Sequence, residues 1–228
     1  MSFLVVLCEG FTEQDFVAQV LGPHLEAFGV RCHPILLGKR IKRDHAEAPG
    51  GVLKWDPVYR HIRAALRQYS SAQSFVTTML DFYAFPRDFP GYEQYTGEPD
   101  PAKRVDMFEK GMYRVVGDPR FVPYVQLHEF EALVLCCPDE VAAEFEKPES
   151  ADVAAKLTQE MAGLDPEAVD ETRDGAPSKR IARAAPGYRK RVMGPRIVGR
   201  IGLGQIRARC AHFGWWLSRL EKLKSQAT

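Results

Sequence analysis

The stretch Phe3-Leu4-Val5-Val6-Leu7-Cys8-Glu9-Gly10-Phe11-Thr12-Glu13-Gln14-Asp15 decides the fold. Its first six residues are apolar without alternation, the pattern of a strand buried on both faces. A carboxylate and a glycine follow at once. Gly10 permits a tight turn and a close approach of the backbone to a bound group, and the N-terminus of the next helix attracts phosphate. Thr12, with Asp15 three residues on, reads as a capping box. Phe16, Val17, Val20 and Leu21 supply one apolar helical face. Gly22-Pro23 is expected to kink or split that helix, and Gly29 to end it. The apolar start lacks a basic flank and a small-residue cleavage site, so it reads as a first strand and not as a secretory signal.

Working outward, residues 32–37 read as a second strand, and residues 38–54 as a polar, basic loop. Val58, His61, Ile62, Ala65, Leu66 and Tyr69 mark a helix. A third strand over 75–80 ends at Asp81, and the Pro-, Gly- and aromatic-rich segment 82–98 is expected to be an ordered loop. Asp100 with Pro101 gives an N-cap and first helical residue, and Val105, Phe108, Met112 and Val115 continue that helix. Residues 121–127 read as a fourth strand, followed by a turn into a helix at His128-Glu129-Phe130-Glu131-Ala132-Leu133. Beyond Pro138 only helical patterns occur, at 140–145, 153–161, 181–184 and 210–223. Strands alternating with helices predict an α/β fold with a mainly parallel sheet of about four strands. Residues 1–137 form its core, and a helical C-terminal region, 138–228, packs on that core within the same domain.

Bulk composition agrees. A chain of 228 residues can bury a sizeable core. No apolar run approaches the ~18 residues that a membrane span needs. The five cysteines show no paired metal-ligand spacing, which fits reduced thiols in a cytoplasm. The net charge of +1 hides an asymmetry: 129–174 is acidic, whereas 179–209 holds ten Lys or Arg and no acid. Such a block is either a solvated helical surface or a face for a polyanion.

In a parallel sheet, functional groups gather beyond the carboxyl ends of the strands. Glu9, Asp81 and His128-Glu129 each sit just past a predicted strand, so residues distant in sequence converge on one edge. Carboxylates gathered there need a positive neighbour to ionise together, and Mg²⁺ or Mn²⁺ suits oxygen ligands. Each residue also has an ordinary reading: Glu13, Glu129 and Glu131 as first-turn helix acids, Asp81 as a loop cap, His128 as a turn residue. The shared placement favours the functional one. Trp215, Trp216, Phe213 and Leu217 read as core or as a docking patch.

The chain resembles the Toprim-like superfamily, whose pattern is a glutamate in an EGxTE-like turn after the first strand and a DxD after a later one. More narrowly it is similar to the family filed as domain of unknown function 4276. The resemblance rests on Cys8 to Glu13, on Thr77-Thr78-Met79-Leu80-Asp81-Phe82-Tyr83 with Pro86 and Pro90-Gly91, and on His128 to Leu133. Ala176-Pro177-Ser178-Lys179-Arg180 with Tyr188 and Lys190 completes it. It implies a metal-dependent phosphoryl-transfer protein, foremost a nuclease acting on DNA or RNA, related in fold to overcoming-lysogenization-defect nucleases, topoisomerases and primases. Family members resemble components of bacterial defence or mobile-element systems, often beside a separately encoded ATPase.

On that basis Glu9 is expected as a metal ligand or general acid/base, Asp81 and Glu129 as metal ligands, and Glu13 as an outer or second-metal ligand. Tyr83 stands where the second acid of a DxD belongs, which leaves Glu129 or Glu131 as its substitute. Lys179 and Arg180 would neutralise a phosphate, or simply start a solvated helix after Ser178. Gly10, Tyr83, His128, Ser178, Tyr188 and Lys190 are expected around the ligands or the substrate. The rival readings are a non-catalytic module that binds nucleic acid or the ATPase, and a small-molecule phosphohydrolase.

Overall fold

A computed structural model describes residues 1–37, 53–82, 85–95, 97–169 and 174–223. The predicted loop over 38–54 therefore lies almost wholly outside the described residues, as does Tyr83. Strand β1 (Ser2–Cys8) leads into α1 (Phe11–Phe16), a π-helical turn (Val17–Leu21) and α2 (Gly22–Glu26), then β2 (Val30–Leu36) and α3 (Trp55–Gln68). Next come β3 (Ser74–Asp81), α4 (Tyr92–Tyr95), α5 (Pro101–Val116), β4 (Phe121–Val122) and β5 (Val125–Gln126). The remainder is helical: α6 (Glu131–Val134), α7 (Pro138–Ala142), α8 (Glu149–Glu160), a 3₁₀ turn (Pro166–Ala168), α9 (Pro177–Ala184), α10 (Lys190–Ile201), α11 (Leu203–Arg209) and α12 (Ala211–Glu221).

All strand pairings are parallel, in the order β2-β1-β3-β4, with β5 also on β3. The expected α/β architecture is the observed one. The uninterrupted apolar run of β1 serves both faces. Leu4, Val6 and Cys8 join the core under α1 and the C-terminal helices, whereas Val5 and Leu7 join the core under α3 and α5. Asp100 caps α5, accepting from the Ala102 N–H at 2.9 Å.

Three local expectations are corrected. The capping box does not form: Gly10 occupies the N-cap position without a side-chain cap, and Thr12 is buried inside α1. The Gly22-Pro23 break becomes a π turn, in which the Gly22 N–H reaches back five residues to the Val17 carbonyl. The fourth strand splits in two because Pro123 has no N–H for the ladder. Thr78 bridges the gap, its Oγ1 accepting from the Tyr124 N–H and donating to the Tyr124 carbonyl, both at 2.9 Å.

The basic block is largely matched from within. Arg183 pairs with Glu160, Arg196 with Glu144, Arg200 with Glu140, and Arg207 with Glu221. Most of the sequence asymmetry is therefore folded acid against base. The block also hides an apolar stripe: Met193, Ile197, Val198 and Ile201 of α10 are buried, and α10 lies against α1. Arg191 fastens that contact from outside, 3.3 Å from Asp15 and with its guanidinium 4.3 Å from the Phe11 ring centre. No helix among the described residues is long and apolar enough to cross a membrane.

Candidate functional site

The carboxyl ends of β1 and β3 lie side by side. Cys8 is level with Met79, and the Glu9 N–H continues the ladder to the Met79 carbonyl at 3.1 Å. The Glu9 side chain then reaches across, its Oε2 accepting from the Asp81 N–H at 3.0 Å. Asp81 Oδ1 accepts from the Phe130 N–H at 3.0 Å, which ties β3 to the turn before α6. Its Oδ2 lies 3.4 Å from Lys190 Nζ, and the same ammonium lies 2.9 Å from Glu131 Oε2. Three carboxylates, from the turn after β1, from β3 and from α6, are thus linked through backbone and through one lysine at the start of α10.

Two features let the helices close on this edge. A Cβ on Gly194 would lie 3.1 Å from both Tyr188 Oη and the Phe130 ring, so the glycine lets α10 approach. A Cβ on Gly10 would lie 2.8 Å from Glu13 Oε2, so the glycine leaves room for the Glu13 carboxylate to fold back on its own helix start. The Gly10 backbone is extended and open to any residue. Gly10→Ala is therefore expected to cost below about 1 kcal/mol in stability while displacing the Glu13 carboxyl. Carboxyl titration by ¹³C NMR checks this; an unmoved Glu13 resonance would refute it.

Electrostatics mark the cluster. Burial, then the nearby Asp81, raise the Glu13 carboxyl to about 8, against the opposing pull of Lys190. Burial raises Glu131 to about 7, again opposed by Lys190. Asp81 is raised for the same reason. Burial disfavours the Lys190 ammonium, yet Asp81, Glu131 and Glu13 more than offset that and hold its pKa well above the usual range. Glu131 is the most confined member, with a side chain only 1 % exposed. Both of its oxygens are buried without an aligned hydrogen bond, so its contact with Lys190 is a charge pairing. The buried Tyr188 hydroxyl likewise has no partner among the described residues.

Other expected residues lie differently. Glu129 Oε2 accepts from the Ser178 N–H at 2.9 Å, so it fastens the start of α9. His128 is buried in a left-handed backbone conformation (φ 61°), and its Nε2 meets the Glu167 carbonyl oxygen at 3.1 Å. Arg180 is directed to the Glu160 carboxylate at 3.1 Å and the Gly175 carbonyl at 2.8 Å, while Lys179 is exposed. The cation brought among the acids is Lys190, not the Lys179-Arg180 pair.

A family model described as "Domain of unknown function (DUF4276)" matches residues 8–221. The chain belongs to that family. The match begins one residue before Glu9 and contains every residue of the acid cluster. No curated protein matches the chain. Among solved structures, the C-terminal region of the OLD protein of Xanthomonas campestris pv. campestris aligns at 14 % identity, covering 95 % of this chain and 96 % of that one, with a TM-score of 0.34. A likeness that distant carries no argument for this family member.

The sequence reading missed a second buried polar cluster. Glu109 Oε1, on α5, accepts from the Val125 N–H at 2.9 Å and lies 3.0 Å from His212 Nε2. Glu167 caps α12, its Oε2 accepting from the His212 N–H at 2.7 Å and its Oε1 from the Phe213 N–H at 3.0 Å. Burial raises both carboxyls, and His212 opposes that at each.

Proposed function

We propose that the acid edge is a phosphoryl-transfer site and that the protein is a divalent-metal-dependent nuclease. The observation that carries this reading is the meeting of Asp81, Glu13 and Glu131 around Lys190, with Glu9 bonded to the Asp81 backbone beside them, at the carboxyl edge of a parallel sheet, where such folds keep their chemistry. Membership of the family, and the Toprim-like motif it shares, support it.

Among the described residues no three carboxylate, imidazole or thiol donors are placed to hold a metal ion; the acids close on Lys190 instead. The donors are nonetheless of the right kind for Mg²⁺ or Mn²⁺, and Glu131 offers two buried oxygens without aligned hydrogen bonds. Asp81, Glu9 and Glu131 are the residues that would hold the ion, which when bound polarises a phosphoryl oxygen. Lys190 supplies a fixed positive charge toward a phosphate. Glu13, raised by burial and by Asp81, is the group suited to exchange a proton with a leaving oxygen. Cellular partners, including a separately encoded ATPase, belong to the same reading through the family resemblance alone.

The test is incubation of the full chain with single-stranded DNA, duplex DNA and RNA in Mg²⁺ or Mn²⁺. Glu9→Gln and Asp81→Asn are each expected to lower cleavage by roughly a hundredfold. Cleavage untouched by both substitutions would remove the mechanism. The closure on Lys190 favours one alternative, a non-catalytic module that binds nucleic acid at this edge. Salt-sensitive binding without turnover in either metal would select it.

A further inference from the structure

Away from the acid edge, a cleft of about 380 Å³ opens between α5 and α12, of a size that takes a small-molecule group. Two of its walls are large aromatic side chains left open to solvent: Trp215 is 47 % exposed and Tyr113 42 %. Trp215 is the outermost of four nearly parallel rings. Trp216 stacks on Tyr124 at 4.1 Å and 10°, Tyr124 on His212 at 5.2 Å and 14°, and His212 on Trp215 at 6.1 Å and 16°. The inner end is anchored, since Trp216 Nε1 donates to Thr77 Oγ1 at 3.0 Å. His212 is fixed by Glu109 at 3.0 Å and by the Val125 carbonyl at 3.2 Å. Trp215 is thus a supported platform, and its exposure follows from a built stack.

The charges of the cleft are sorted in a telling way. Its two carboxylates are already engaged, Asp106 by Lys110 at 2.6 Å and Glu109 by His212. Its two guanidiniums are not: neither Arg114 nor Arg219 has a carboxylate partner among the described residues, in a protein that pairs most of its other C-terminal arginines. Arg219 lies over the Trp215 ring at 4.9 Å, and Arg114 donates through Nε to the Lys110 carbonyl at 3.2 Å. Neither guanidinium is held by a carboxylate, so a ligand that is both aromatic and anionic is suited to take the Trp215 face from Arg219 and to pair with the guanidinium it displaces.

We propose that this cleft binds the base and phosphate of an unpaired nucleotide, the base against Trp215 and Tyr113 and the phosphate on Arg114 and Arg219. Base-on-aromatic stacking beside a basic groove is how single strands are held without sequence preference. The site shares a nucleic-acid ligand with the reading above but requires neither the metal nor the acid cluster.

The experiment is anisotropy of a fluorescent single-stranded 10-mer with the full chain in EDTA, competed by unlabelled strand, by duplex of the same sequence and by dAMP. Trp215→Ala is expected to weaken strand binding about tenfold, and Trp215→Phe, which keeps an aromatic face, to restore most of it. Arg219→Ala is expected to flatten the salt dependence by roughly 0.7 in log–log slope, one phosphate contact on a single strand. Weak competition by dAMP assigns the cleft to a strand, and competition equal to the strand assigns it to free nucleotides; either supports the base-and-phosphate chemistry. Absence of strand binding, or equal binding by wild type, Trp215→Ala and Arg219→Ala, overturns it. Asp81→Asn separates the two readings. Lost cleavage with retained binding keeps both, whereas binding that depends on Asp81 and not on Trp215 leaves the acid edge and removes the cleft.

Discussion

Lys190→Met is expected to destabilise the protein by about 3 kcal/mol at pH 8.5 and by much less at pH 5.5, measured by urea unfolding in EDTA. Removing one member of a buried ion pair costs roughly 3–5 kcal/mol because the other charge stays behind unpaired. The Lys190 side chain is 39 % exposed, and screening by water places the loss at the lower end. The sign of the pH dependence follows from the acids. Glu131 and Glu13 have folded pKa values of about 7 and 8, both above the ordinary carboxyl value of 4.5. The folded state therefore holds protons more tightly than the unfolded chain. That contribution is complete below about 4 and fades as pH rises through 7 to 8. Lys190 limits the fading because it lowers both values; without it the decline runs deeper and to higher pH. At pH 5.5 both acids carry protons with or without the lysine, so the variants converge. Lys190→Arg keeps the charge and is expected to recover only part of the loss, since a planar fork does not replace a compact ammonium between two carboxylates. An equal deficit at both pH values would mean that Lys190 acts by packing alone.

What the sequence made legible, and what it hid, follows the range of the interactions. The paired placement of Glu9 and Asp81 was readable because parallel strands must end together, and β1 advertises itself by an unbroken apolar run. The cap at Asp100 was readable because it is a contact over two residues. Lys190 was named only as a neighbour of the site. Its role depends on α10 turning its first residue toward β3 across 109 positions of sequence, and nothing local encodes that. The apolar spacing of Met193, Ile197 and Val198 was present in the sequence, but ten cations and Pro195 disguised a core helix as a solvated surface. Where Arg180 would point was hidden for a similar reason: Glu160, 20 residues upstream, takes the arginine. The split of the fourth strand was signalled by Pro123, and its repair by the Thr78 hydroxyl was not.

Glu167 makes the same point energetically, and its removal is the second large expected effect. It lies in the acidic segment 129–174, and it is buried and offers both oxygens to the first turn of α12. Glu167→Ala leaves without acceptors the Phe213 N–H, which is buried, and the His212 N–H, which is partly buried. At about 1–3 kcal/mol for each buried donor left unsatisfied, and allowing for relief of the buried carboxylate, the loss is expected near 3 kcal/mol by urea unfolding. Glu167→Gln keeps a side-chain oxygen at the helix start and is expected to lose about 1 kcal/mol. The loss should be local before it is global. Hydrogen exchange at His212 and Phe213 is expected to accelerate first, because opening this turn needs no strand to separate. That turn also sets the ring stack from Trp216 to Trp215, so fraying it loosens the cleft wall while leaving Lys190 among its acids. A Glu167→Ala protein that loses strand binding in EDTA but still holds its carboxyl titrations at Glu13 and Glu131 would show two sites built on one sheet and uncoupled from each other. Joint loss of both would show instead that α12 and α10 respond as one body.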